Sequence, residues 1–271
     1  MDLTTSFTGE DSLDISLDAG SGGHLSELDL NATTGDALIV DGIAYTFPLG
    51  DKTTVFFGDS MPGNTLYSTA CTYGGPTNTL DDCGNLNSGL DAKKGTTFGA
   101  SYDFGNGFKA ALGYEGQGMT SKGILSDAGS DAYGAQVSYV GNSYGVSIAW
   151  ANIENHDDDN NLTGSTGSTQ SKALNAYYTP DLPNFPSISI GFETSHDDAV
   201  ASSSDEKSHY FVGLQWDEIG DGSLGAAFGS KAPYAENGDA ETMYEIFYAY
   251  NYADGITVTP IFYGKENAGS T

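Results

Sequence analysis

Apolar and polar residues alternate with period two through most of this chain, the pattern of β-strands that present two different faces. Between Thr97 and Phe104, Phe98, Ala100, Tyr102 and Phe104 share one face, and Thr97, Gly99, Ser101 and Asp103 share the other. The next run repeats this, with Phe108, Ala110, Leu112 and Tyr114 set against Lys109, Ala111, Gly113 and Glu115. Only Gly105-Asn106-Gly107 separates the two runs, a connection suited to a hairpin whose turn residues need positive φ. The segments Tyr133–Tyr139, Tyr144–Trp150, Ile188–Phe192, Tyr210–Trp216 and Tyr244–Tyr252 read the same way. After Ala253-Asp254-Gly255 the apolar face continues through Ile256, Val258 and Phe262. No segment of comparable length carries a helical apolar stripe. All runs together predict about fourteen strands, many near the ~9–11 residues that a tilted strand needs to cross hydrocarbon.

Connection lengths alternate along the chain. Short ones lie near 9–11, 49–51, 105–107, 141–143, 181–185, 218–222 and 253–255; long ones lie near 19–36, 59–95, 117–130, 155–170, 196–206 and 232–240. Tight turns at one rim and long loops at the other describe an up-and-down barrel of the outer-membrane kind, and a Greek-key sandwich has no reason to sort its loops this way. Aromatic residues flank the short turns (Phe47, Phe104, Phe108, Tyr139, Tyr144, Tyr178, Phe185, Trp216, Tyr252), as an interfacial girdle would. A second set, Phe98, Tyr114, Tyr133, Trp150, Phe192, Tyr210 and Phe262, is placed to form the other girdle. The opposite face is small and polar, whereas a soluble sandwich would fill it with Val, Ile and Leu. The apolar face is therefore expected to meet lipid and the polar face water.

The expected fold is all-β, a transmembrane up-and-down antiparallel β-barrel occupying 1–271 as a single domain. With the short turns in the periplasm, both ends of the chain would lie at the outer rim. A closed bacterial barrel usually has an even strand number and periplasmic ends, so about fourteen strands of sixteen are expected here, with one missing at each end. The start, Met1-Asp2-Leu3-Thr4-Thr5-Ser6-Phe7, lacks the basic and apolar regions of a secretory signal, which fits the same expectation of an internal fragment.

Composition narrows the function. Asp and Glu number 37 against 9 Lys and Arg, for a net charge of -28, and all nine basic residues are lysine. Nucleic acid is excluded as a partner, because phosphate affinity needs clustered basic residues, and an anionic inner leaflet is disfavoured. The 17 Tyr and 13 Phe argue against a disordered acidic chain. Signatures of hydrolases, P-loop enzymes and zinc proteases are absent, and His24, His156, His196 and His209 are scattered, so neither catalysis nor a cofactor is expected. Asp157, Asp158 and Asp159 could offer oxygen ligands to a hard cation, but they lack the spacing and glycine of an EF-hand loop and read more simply as solvated loop charge. Cys71 and Cys83 share a Gly/Asn/Asp-rich stretch, as a local loop disulfide or as two free thiols.

Three blocks carry a family resemblance: Leu3-Thr4-Thr5-Ser6-Phe7-Thr8-Gly9-Glu10-Asp11-Ser12-Leu13, Gly42-Ile43-Ala44-Tyr45-Thr46-Phe47-Pro48-Leu49-Gly50-Asp51-Lys52 and Tyr133-Gly134-Ala135-Gln136-Val137-Ser138-Tyr139. They resemble the porins of the cyanobacterial outer membrane, a branch related to carbohydrate-selective OprB-type porins and also called iron uptake porins. The resemblance implies a sixteen-stranded barrel in outer-membrane lipid, a homotrimer, and a signal peptide and periplasmic anchoring domain preceding the barrel. It also implies an inward-folded loop, for which 59–95 is the candidate. The absence of Arg departs from the basic constriction of many porins.

The polar face places Asp14, Asp18, Asp103, Glu115, Glu193 and Glu245 toward the lumen with Lys109, and Gln136, His209 and Gln215 share that face. An acidic, low-dielectric funnel concentrates cations. The expected activity is passive diffusion of inorganic cations and small polar solutes, with iron or carbohydrates among the candidates. The rivals are a soluble, secreted acidic β-structural protein with calcium-binding loops and a plugged barrel serving as enzyme or receptor, for which no convergent set of lumen carboxylates or histidines is evident.

Overall fold

In a computed structural model the described residues are 1–20, 26–28, 34–81, 83, 90–91, 95–116, 124, 131–155, 167–198, 205–235 and 238–266. The strands are β1 (Asp2–Thr5), β2 (Ser12–Asp18), β3 (Ile39–Pro48), β4 (Thr53–Asp59), β5 (Thr96–Gly105), β6 (Phe108–Gly116), β7 (Asp131–Val140) and β8 (Tyr144–Asn155). They continue with β9 (Gly167–Tyr178), β10 (Ser187–Asp197), β11 (Glu206–Ile219), β12 (Gly222–Ser230), β13 (Tyr234–Ala235), β14 (Thr242–Ala253), β15 (Ile256–Val258) and β16 (Ile261–Lys265). One 3-10 turn, Ser26–Leu28, lies between β2 and β3.

From β1 to β12 each strand pairs antiparallel with its sequence neighbour, and the sheet path then continues through β14 and β15. That path has fourteen members, the number the alternation predicts. The remaining two segments have local causes. β13 is a short addition to β11 within a long connection. β15 and β16 both pair with β14 and form one crossing interrupted at Thr259-Pro260. Proline has no N–H for the ladder, although its carbonyl still accepts from the Tyr248 amide at 3.1 Å. Among the described residues no ladder joins β1 to β15 or β16.

The hairpin between β5 and β6 forms as its sequence suggests: Gly105, Asn106 and Gly107 all have positive φ, at 87°, 55° and 86°. At the short-turn rim Phe108 stacks near Tyr139 (4.9 Å between centroids) and Tyr139 near Tyr144 (5.2 Å), a band of rings where a girdle is expected. At the other rim the expected girdle is modified. Tyr114 is only 3% exposed, and its hydroxyl donates to Asp131 instead of facing a membrane interface.

Cross-strand register fixes the two faces. Val137, Ile148, Leu174, Phe192 and Tyr210 lie opposite one another on the outward face across β7–β11. Asp14, Ala44, Gly58, Thr97, Glu115 and Ala132 do so on the inward face across β2–β7. Outward Leu112, Val137 and Ile148 are 63%, 61% and 62% exposed, and this face bears a contiguous apolar surface far larger than soluble proteins tolerate. Hydrocarbon is the medium that makes such a surface favourable. No helix among the described residues is long and apolar enough to cross a membrane.

The inward face departs from the expected uniform wetness. Phe56, Phe211, Met243 and Phe247 point inward and are almost fully buried, which requires something inside the sheet to cover them.

The turn between β1 and β2 is closed by Asp11. Its carboxylate accepts from the Ser6 hydroxyl (2.6 Å), the Thr8 amide and hydroxyl (each 2.7 Å), the Phe7 amide and the Tyr45 hydroxyl (2.7 Å). These donors, Ser6 first and then Tyr45, hold the Asp11 carboxyl far below the ordinary carboxylate range. Its folded-state pKa is depressed, so its contribution is complete above the unfolded value near ~4 and is lost as pH falls below it. Asp11→Ala is expected to lower the thermal unfolding temperature at pH 7, with the gap from wild type closing as pH is lowered toward 2. A gap independent of pH would contradict this role.

Candidate functional site

The connection between β4 and β5 occupies the interior of the sheet. A backbone segment placed inside a barrel has amides that need acceptors, and the inward face supplies them. The Gly63 amide donates to Glu115 Oε2 on β6 at 3.0 Å, and the Ser68 amide donates to Gln136 Oε1 on β7 at 2.6 Å. The Ala70 amide donates to Ser147 Oγ on β8 at 3.2 Å, and the Thr72 amide to Ser189 Oγ on β10 at 3.0 Å. Beyond these, the Tyr73 hydroxyl donates to Glu245 Oε1 on β14 at 2.5 Å, and the Thr77 hydroxyl donates to Glu245 Oε2. From 63 to 77 the chain therefore follows the inner wall from β6 round to β14.

Two glycines of the wall give this path its room. A Cβ on Gly113 would lie 2.0 Å from the Gly63 carbonyl oxygen, and one on Gly213 would lie 2.7 Å from the Tyr73 ring. The far end of the loop lands on the inward apolar residues of β11 and β14. Tyr73, Leu80 and Cys83 pack with Phe211, Met243 and Phe247, with ring centroids 5.3 Å apart for Tyr73–Phe211 and 6.0 Å for Tyr73–Phe247. Cys71 and Cys83 are disulfide-bonded across 12 positions, which closes this end of the loop and removes the free-thiol alternative. Leu90 packs with Ala132 and Ala151 nearer the β5 end.

A second long connection leans on the same structure. Glu27, in the turn between β2 and β3, accepts from the Asn78 amide with its carbonyl (2.8 Å) and from the Thr79 amide with Oε1 (3.0 Å). Its Oε2 is paired with the Lys265 ammonium from β16.

All ten residues read as lumen-facing fall on the inward rows of the sheet, but they divide into two kinds. Glu115 and Glu245, each 2% exposed, and Gln136 are occupied as anchors of the inner loop. Asp14 and Asp18 are half-buried, and Asp103 and Lys109 are exposed opposite one another toward the short-turn rim. Glu193, His209 and Gln215 are half-buried on β10 and β11, with His209 Nε2 3.0 Å from the Ser230 carbonyl. On β1 and β2 the Thr4 and Ser12 hydroxyls donate to Asp14 (2.7 and 2.8 Å), and the Ser16 hydroxyl donates to Asp2 (2.7 Å). Among the described residues no ion pair engages Asp2, Asp14, Asp18 or Asp103. The interior thus has one wall that the described part of the loop engages, from β6 round to β14, and another, on the side of β1 and β2, that is acidic and hydroxyl-rich and that no hydrogen bond among the described residues ties to that loop.

Sequence reasoning passed over Phe56, Phe211, Met243 and Phe247, whose signal was present: each is a large apolar residue on the otherwise small, polar face. Glu27 carried no such signal. Asp157, Asp158 and Asp159 lie outside the described residues, and among the described residues no group of three or more His, Cys, Asp or Glu is arranged to hold a metal.

The Gram-negative porin family matches residues 2–267 of the chain. No curated protein matches it. The fold is shared with the anion-selective porin from Comamonas acidovorans, at 14% identity and a TM-score of 0.62 over 98% of this chain and 78% of that one. A variant of the Rhodopseudomonas blastica porin is similar at 14% identity and a TM-score of 0.51, over 98% of this chain and 83% of that one. The chain belongs to the Gram-negative porin family, channels of the outer membrane for small solutes.

The double variant Tyr73→Phe, Thr77→Val removes the two hydroxyl donors to the buried Glu245 carboxylate, at a cost of about 1–3 kcal/mol for each lost bond. Loosening of the loop is expected to raise single-channel conductance and its noise. An unchanged step size with unchanged noise would show that the loop does not limit the channel.

Proposed function

We propose that this channel prefers cations and passes inorganic cations and small polar solutes passively, through the water-filled space between the inner loop and the side of β1 and β2. The observation that carries this reading is the division of the inward carboxylates. Glu115 and Glu245 are spent on the loop, while Asp14 and Asp18, with Asp2 beside them, have no cationic partner among the described residues.

Low-dielectric walls focus the field of such carboxylates across a narrow aqueous path, which raises the local concentration of cations and lowers that of anions. Salt screens charges beyond roughly 8 Å under physiological conditions, so wall carboxylates act more strongly than charges of the outer loops. The Comamonas acidovorans porin is described as anion-selective; a chain of net charge -28 without arginine supports the opposite sign here.

The finer reading is a homotrimer in the outer membrane of a cyanobacterium, with 1–271 forming one barrel domain and carbohydrates or iron compounds as further permeants. It is supported by the resemblance of the three short blocks around Asp11, Phe47 and Gln136. The soluble secreted reading is disfavoured by the outward apolar face, which water would oppose.

Reversal potential in a planar bilayer under a tenfold salt gradient tests the reading, with a ceiling of roughly 60 mV for an ideal monovalent selector. Wild type is expected on the cation side, and Asp14→Asn, Asp18→Asn to move the potential toward zero. Glu115→Gln is expected to change noise more than selectivity. An anion-sided wild type, or an unmoved potential in the Asp14/Asp18 variant, would overturn the assignment.

A further inference from the structure

The outward face of β9, β10 and β11 changes from apolar to polar within a single step of the ladder. Leu174, Phe192 and Tyr210 form one row; the next outward row toward the long loops is Lys172, Thr194 and Ser208, and the one beyond it is Gln170, His196 and Glu206. This is where hydrocarbon gives way to headgroups. The two polar rows line a hollow of about 460 Å³, which Lys207 also borders. Trp150 lies opposite Lys172 on β8, an amphipathic ring of the kind found at membrane interfaces.

Lys172 is exceptional among the described lysines. Lys231 and Lys265 are in ion pairs with Glu241 and Glu27, Lys109 and Lys207 lie on the inward rows, and Lys52 sits in a short turn. Lys172 is exposed on the outward face at the hydrocarbon boundary, and no ion pair among the described residues neutralises it. Two carboxylates on the loop side of the hollow are turned to His196: Asp198 lies 3.1 Å from Nε2 and Glu206 3.9 Å from Nδ1. The membrane-side row therefore offers an ammonium flanked by the Thr194 and Ser208 hydroxyls, all donors, directly above acyl-chain depth.

We propose that this hollow binds the phosphate of a membrane lipid headgroup, with Lys172 as the charged partner, Thr194 and Ser208 as neutral donors, and the acyl chains lying along Leu174 and Phe192. A strongly acidic protein repels anionic lipid in general, so a local cationic hollow is what lets it hold one phosphate in register with its apolar face. Lys172, Thr194 and Ser208 lie on the outward rows, opposite the lumen, so the site is independent of selectivity.

The test is native mass spectrometry of the full chain in neutral detergent, offered equal amounts of phosphatidic acid and phosphatidylcholine with the same acyl chains. Wild type should retain phosphatidic acid in preference by about tenfold, the scale of one charge-assisted contact. Lys172→Gln should bring the ratio near parity while leaving channel conductance unchanged, and Glu206→Gln should raise the ratio above wild type. Equal ratios for wild type and Lys172→Gln would overturn the proposal, as would an equal loss from Lys52→Gln at the opposite rim. Displacement of the lipid by excess inorganic phosphate alone would reassign the hollow to a free anion and overturn it as well.

Discussion

Inside hydrocarbon there is no water to take the place of a missing hydrogen bond, and the architecture of this chain follows from that constraint. From β2 to β11 each strand satisfies its backbone through its sequence neighbours, which yields a meander with tight turns on one side. The side chains then have one apolar environment and one aqueous environment to divide between them, and the period-two alternation makes the division. The same requirement governs the loop inside. Its amides at Gly63, Ser68, Ala70 and Thr72 are matched one after another by Glu115, Gln136, Ser147 and Ser189, so a segment without secondary structure runs along a wall at little polar cost.

That loop makes the interior asymmetric. The apolar contact of Tyr73 and Leu80 with Phe211, Met243 and Phe247, the Cys71–Cys83 disulfide and the Glu27–Lys265 pair fix its far end. Glu115 and Glu245 beneath it become structural groups, while Asp14 and Asp18 lie on inward rows that no hydrogen bond among the described residues ties to the loop. Charge near a pore is thus a poor guide to selectivity until it is known which carboxylates hold the inner loop.

The barrel was largely legible in the sequence, because alternation is a local property and the sorting of short and long connections needs only a count. Gly105-Asn106-Gly107 marks its hairpin through backbone chemistry alone. The inward loop was legible only as a candidate from family resemblance. Its docking depends on residues far apart in sequence, such as Thr72 with Ser189 and Tyr73 with Glu245. Inward Phe211 and Phe247 were the local trace of that docking, since each breaks the polar face where the loop lands. The two roles of the carboxylates left no local trace: Asp14 and Glu115 occupy equivalent positions in the alternation and differ only in the donors they accept from.

Accessibility of the two walls in a conducting channel tests this most directly. Single cysteines at Ser16, on the wall of β1 and β2, and at Ser147, beneath Ala70, would be exposed to a cationic thiol reagent during bilayer recording. Rapid stepwise loss of current at Ser16→Cys with no effect at Ser147→Cys is the predicted result. Equal rates at both positions, or modification at Ser147→Cys alone, would contradict the division of the interior.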